Sequence, residues 1–139
     1  MTRIDFYVVA DATPSSRIEV AVRLAEKAWA RGHRLYINSH SEAEADQLDE
    51  QLWSQRPGSF LPHETVRGGF SAPIVVGWGQ EPTGHDDVLI NLALSPPAFF
   101  SRFQRVAEVV NQDPVALQSM REAWRFYKDR GYPLQKHDL

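Results

Sequence analysis

RIDFYVVADATPSSRIEVAVRLAEKAWARGHRLYIN, residues 3–38, decides the fold. Arg3 to Ala10 is short and rich in aromatic and β-branched residues, the composition of a buried strand. Asp11 to Pro14 makes a turn. Ser16 with Glu19 has the spacing of a capping box, and Ile18, Ala21, Val22, Ala25, Ala28 and Trp29 follow at helical intervals. Gly32 closes that helix, and Arg34 to Asn38 reads as a second strand. A strand, a crossover helix and a strand form the sequence signature of a parallel sheet covered by helices. The expected fold class is therefore α/β, one domain over residues 1–139 with a mostly parallel central sheet flanked by helices.

Working outward, Ser41 with Glu44 opens a second helix that runs to about Trp53, with Ala45, Leu48 and Leu52 on its apolar side. Phe60 to His63 (FLPH) reads as a short strand, and Pro62 favours a sheet edge. Pro73 to Trp78 and Val88 to Leu92 are further buried strands. Ser95 and Pro96-Pro97 then start a helix whose broad apolar face is Phe99, Phe100, Phe103, Val106, Ala107 and Val110. The last helix occupies the stretch Asp113 to Leu134: Asp113 caps it, Pro114 suits its first position, and Gly131 followed by Pro133 stops it. Gln135 to Leu139 reads as a frayed polar tail.

The totals narrow the classes of function. The 139 residues suffice for one compact domain. With 42% hydrophobic and 24% charged residues a core can form. A net charge of −3 argues against a surface that binds nucleic acid everywhere, although a local basic patch survives the average. There is no Cys, so disulfides, thiolate catalysis and Cys-based zinc sites are excluded, and a reducing cytoplasm fits. The N-terminus lacks the pattern of a signal peptide, and no apolar run is long enough to cross a bilayer.

Motifs for chemistry are sparse. Ala10-Asp11-Ala12-Thr13-Pro14 after the first strand has no glycine, so it is neither GxGxxG nor GxxxxGK[ST], and Gly77-Trp78-Gly79 is explained by a strand end. His33, His40, His63, His85 and His137 are scattered without HExxH. His85-Asp86-Asp87 offers metal-type donors but reads more simply as a polar turn. No serine lies in GxSxG. Asp5, Asp11 and Asp87 near strand ends suit either general bases or turn residues. No catalytic residue, cofactor or metal is expected.

Two surfaces stand out instead. Arg121, Trp124, Arg125 and Lys128 share one stripe of the last helix, whereas Val115, Met120, Ala123 and Tyr127 suit its core side. An indole among cations suits a ligand both anionic and apolar; a solvated charged face with Trp124 half-buried is the plainer alternative. Trp53, Phe60, Pro62 and His63 surround a loop beside the edge strand, as a protein-binding surface or as a cover for the sheet edge.

Across nearly its whole length the chain resembles the chi subunit of bacterial DNA polymerase III holoenzyme. The resemblance is carried by Phe6-Tyr7, by Leu48-Asp49-Glu50-Gln51-Leu52-Trp53 leading into Phe60-Leu61-Pro62-His63, by Pro73-Ile74-Val75, by Val88-Leu89-Ile90-Asn91-Leu92, and by Arg121-Glu122-x-Trp124-x-x-Tyr127-Lys128-x-x-Gly131-Tyr132. It implies a non-catalytic, cytoplasmic protein of Rossmann-like fold. Such a protein pairs with the psi subunit of the clamp-loader complex and binds the acidic, phenylalanine-ended C-terminal tail of single-stranded DNA-binding protein. It touches DNA only indirectly. In that reading Arg121 grips the terminal carboxylate, Trp124 and Tyr132 wall the phenyl pocket, and Arg125 and Lys128 face the tail's aspartates. Trp53, Phe60, Pro62 and His63 form the psi contact, for which a helicase-like protein competes. Two positions depart from the family: relatives carry Tyr where Trp124 stands, and a Lys where this chain has Leu117. The alternatives left by the residues alone are a small α/β enzyme or nucleotide binder with an unrecognised motif, and direct binding of single-stranded DNA by the Trp124 stripe.

Overall fold

Strands buried on both faces have no polar side to show to water, and four-residue runs such as LYIN, IVVG and VLIN find that environment only inside a sheet covered by helices. The computed structural model describes residues 1–54 and 61–139. Its elements are β1 (Arg3–Val8), α1 (Ser16–Ala30), β2 (Leu35–Asn38), α2 (Glu42–Ser54), β3 (His63–Thr65), β4 (Ile74–Gly77), β5 (Val88–Asn91), β6 (Arg105–Val110), α3 (Pro114–Asp129) and β7 (Leu134–Asp138). The strands form one seven-stranded sheet in the order β3-β4-β2-β5-β6-β1-β7. Every pairing is parallel.

Alternation along the strands divides the core in two. Ile37, Ile90 and Val109 face α1 and α2. Ile4, Phe6, Tyr36, Leu89 and Val106 face the other way and pack against Ala123 and Tyr127 of α3, with Phe99, Phe100 and Phe103 completing an aromatic cluster.

Two elements correct the sequence reading. The expected helix over Phe99–Val110 is a short 3-10 turn at Phe100–Arg102 followed by β6, which lies between β5 and β1. Its apolar residues satisfied helical spacing only because a strand buried on both faces is apolar at nearly every position. The expected tail is β7, paired in parallel with β1 from Ile4↔Leu134 to Val8↔Asp138. Its polar letters belong to an edge strand, half exposed along its length. Smaller shifts follow. Val115 is 63% exposed, and Ala116 takes its place on the buried side of α3. Ser15, not Ser16, contacts Glu19 at the start of α1. The capping at α2 forms as expected, with Ser41 Oγ accepting from Glu44 N at 3.1 Å and Glu44 Oε1 accepting from His40 N at 2.7 Å. The edge strand near Pro62 begins at His63, and Phe60 lies outside the described residues.

One residue per strand makes a polar row across the α3 face of this apolar sheet: Asn38, Asn91 and Glu108 are register neighbours. All three are buried. Asn38 Nδ2 donates to Asn91 Oδ1 at 3.1 Å, and Asn91 Nδ2 donates to both Glu108 oxygens at 3.0 and 3.1 Å. Tyr127 of α3 donates its hydroxyl to Glu108 Oε2 at 2.6 Å. This bond fixes α3 on the sheet at one height and one rotation.

Tyr127→Phe keeps the ring and removes the donor, so it should cost about 1–3 kcal/mol in urea unfolding. Burial pushes the Glu108 pKa above the ordinary 4.5, against the opposing bonds from Tyr127 and Asn91. The folded state then keeps a proton that the unfolded chain releases, so stability from this group is full below 4.5 and falls as pH rises through the folded pKa. Urea unfolding of wild type and Glu108→Gln across about pH 4 to 8 should show the difference moving in the variant's favour as pH rises.

Candidate functional site

The outer side of α3 is built from its start. Asp113 Oδ2 accepts from Val115 N at 3.1 Å and from Ala116 N at 3.2 Å, and Pro114 occupies the first turn. Ala116, Ala123 and Tyr127 face the sheet. One step round the helix, Trp124 rests on Phe6 of β1 with ring centroids 5.2 Å apart and an interplanar angle of 48°. That contact half-buries the indole and leaves its other side in an open groove of about 500 Å³. Arg121, Arg125 and Lys128 line the groove, are exposed, and have no ion pair among the described residues. Met120 supplies an apolar wall and Asp129 the single carboxylate. Each long cation holds rotamer freedom that a ligand must quench, so the indole–Met120 surface is where affinity can be concentrated.

Four of the five residues expected at this site therefore meet. Tyr132 lies apart from the groove lining, packing on Phe100 at 5.2 Å and Tyr127 at 6.3 Å. Met120, Asp129 and the supporting Phe6 were missed as site residues. Met120 lies four positions before Trp124 and Asp129 four after Arg125, so helical spacing alone pointed to both.

The second surface joins the end of α2 to the start of β3. Trp53 is 58% exposed, and its ring lies 4.7 Å from that of His63 at 65°. His63 is nearly enclosed, with Nε2 3.4 Å from Asp49 Oδ1. Pro62 beside it is half-buried.

The crevice beyond the carboxyl ends of β1 and β6, where α/β proteins commonly receive phosphates, is bridged by the chain itself. Arg17 Nε donates to Val109 O at 3.0 Å, and its Nη2 donates to Leu92 O. Asn111 Nδ2 reaches Thr13 O and Ser16 Oγ at 3.2 Å each, and Gln112 Nε2 reaches Val9 O at 2.9 Å. The donors of His85-Asp86-Asp87 diverge: His85 Nε2 binds Ala72 O at 2.8 Å, and Asp87 Oδ2 lies 3.0 Å from His33 Nδ1. Among the described residues no group of three or more His, Cys, Asp or Glu is placed to hold a metal, and no helix is long and apolar enough to cross a membrane.

Fold and surfaces together define a Rossmann-like α/β protein that presents an aromatic ring among cations on one helix and a second aromatic at the far edge of its sheet. The fold is shared with bacteriophage T4 UvsW, whose crystal structure superposes with a TM-score of 0.65 at 8% identity. That match covers 99% of this chain and 42% of the other. The chain belongs to the family of the DNA polymerase III chi subunit, HolC, whose sequence model matches residues 1–135. It is 48% identical over 139 residues to the DNA polymerase III subunit chi of Pseudomonas aeruginosa, covering 100% of this chain and 98% of that one. To the subunit chi of Escherichia coli it is 31% identical over 143 residues, covering 96% of each. The Haemophilus influenzae subunit chi is 28% identical over 137 residues, covering 96% of this chain and 95% of that one.

Because Trp53 lies on the surface, Trp53→Ala should change folding stability by no more than about 1 kcal/mol in thermal or urea unfolding. A larger loss would make the ring a core group and remove it from any docking surface.

Proposed function

We propose that this chain, an accessory subunit of DNA replication by its family, is an adaptor without an active site of its own. Its α3 groove holds the acidic, phenylalanine-ended C-terminal tail of single-stranded DNA-binding protein. Its Trp53–Pro62–His63 surface, together with Phe60, pairs with the psi subunit of the clamp-loader complex, and a helicase-like protein competes for that surface. A cytoplasmic location at the replisome belongs to the same reading.

The groove on α3 is the observation that supports it best. A ligand ending in a phenyl ring and a free carboxylate needs an apolar notch and a guanidinium within one residue's reach. Trp124 held against Phe6, with Met120 and Arg121 beside it, supplies both. A guanidinium grips two carboxylate oxygens at once, which an ammonium cannot. Arg125 and Lys128 lie one and two turns from Arg121, suitably spaced for acidic residues upstream in an extended tail. Tyr132 serves the same helix from behind, by packing against Tyr127.

Fluorescence anisotropy with a labelled peptide of acidic residues ending in Phe tests the reading. Arg121→Ala should weaken binding by about tenfold or more while the melting temperature stays put. Amidating the peptide's terminal carboxylate should have the same effect, and added salt should weaken binding further. Oligothymidine should bind poorly; tight oligothymidine binding lost in Trp124→Ala would assign the groove to single-stranded DNA instead.

A further inference from the structure

On the sheet face opposite α3, the C-terminal half of α1 stands off β5, the first half of β6 and Tyr7 of β1 and leaves a cavity of about 190 Å³. Its floor is apolar, formed by Leu24, Ile90 and Ala107. Its rim carries the cations Lys27, Arg31 and Arg105 and the imidazole of His33, with the phenol of Tyr7 on one side. An apolar cavity of about 150 Å³ accepts a benzene ring, so the hollow has the size of a six-membered ring with a substituent.

The charges around it are unequal. Asp5, itself 1% exposed, holds Arg105 through Nε at 2.8 Å and His137 through Nε2 at 2.9 Å. Asp87 holds His33 at 3.0 Å. Lys27 and Arg31 have no carboxylate partner among the described residues. Both lie at the carboxyl end of α1, whose last carbonyls accept backbone bonds: Ala28 O from Arg31 N and His33 N, and Trp29 O from Gly32 N. Tyr7 is stacked on His137 with centroids 4.7 Å apart and an interplanar angle of 13°, which builds an aromatic wall beside Arg105. Two unbalanced cations, a braced guanidinium and an apolar floor make a receptor for a doubly charged oxyanion on an apolar stem.

We propose that this cavity is a second ligand site, taking a small phosphate monoester whose stem fills the hollow and whose phosphate rests against Lys27, Arg31 and Arg105. It is separate from the α3 groove: the two lie on opposite faces of the sheet and share no lining residue.

The test is a titration of the full chain with phenyl phosphate, followed by amide chemical shifts. Saturable shifts should centre on Tyr7, Ala28, His33 and Ala107. The Lys27→Ala, Arg31→Ala double variant should weaken the dissociation constant about tenfold. Ala28→Leu, which fills the hollow without touching a charge, should weaken it comparably. Both changes lie at exposed or half-exposed helix positions, and circular dichroism checks the fold. Inorganic phosphate should bind more weakly than phenyl phosphate, because it leaves the apolar floor empty. Equal affinity for the two anions, shifts centred on Trp124 and Lys128, or unchanged affinity in both variants would each overturn the proposal.

Discussion

A carboxyl group buried among apolar strands must be satisfied by neighbours, and Glu108 organises the α3 side of the molecule for that reason. It sits where β6 runs between β5 and β1, shielded from water, and takes its bonds from the strand beside it and the helix above it. An apolar residue there would let α3 slide along a greasy surface. The Tyr127 hydroxyl removes that freedom, because a displaced helix would leave a buried acceptor unsatisfied. With α3 held at that height, Trp124 falls on Phe6 and the cations on either side of it point outward. The groove is thus set by a bond made one turn along the same helix, on the side facing the sheet.

The parallel architecture was legible because it rests on local signals. The strand–helix–strand of residues 3–38, the Ser41–Glu44 cap and the Asp113–Pro114 start depend on neighbours within a few residues. β6 and β7 were not legible, and for opposite reasons. RVAEVV is apolar nearly throughout because both its faces are covered, which erases the difference between a period of two and one of 3.6. LQKHD is polar because it borders solvent, and its strand character comes from β1, more than a hundred residues earlier in the chain. In each case the missing information lay in a partner strand.

The same distinction holds for the surfaces. Arg121, Trp124, Arg125 and Lys128 follow from helical spacing alone, and so should Met120 and Asp129 have done. Tyr132 lies beyond the helix, past the positive-φ Gly131, where spacing no longer governs direction, and it turns to the aromatic cluster. The cavity under α1 has no linear signature, since its cations come from α1, the turn after it and β6. Each of those cations reads alone as an ordinary surface charge.

The place of β1 also bears on the order in which the chain can fold. Its neighbours are β6 and β7, so Arg3 meets Arg105 and Ile4 meets Leu134. During synthesis the opening strand therefore emerges into a period with no partner on either edge, carrying Ile4, Phe6 and Val8 while most of the molecule is still unmade. Asp5 is the interior polar residue of that strand, and its carboxylate gains its two partners only once Arg105 and His137 have been made. The charges that settle this corner of the finished sheet therefore reach it from far along the chain.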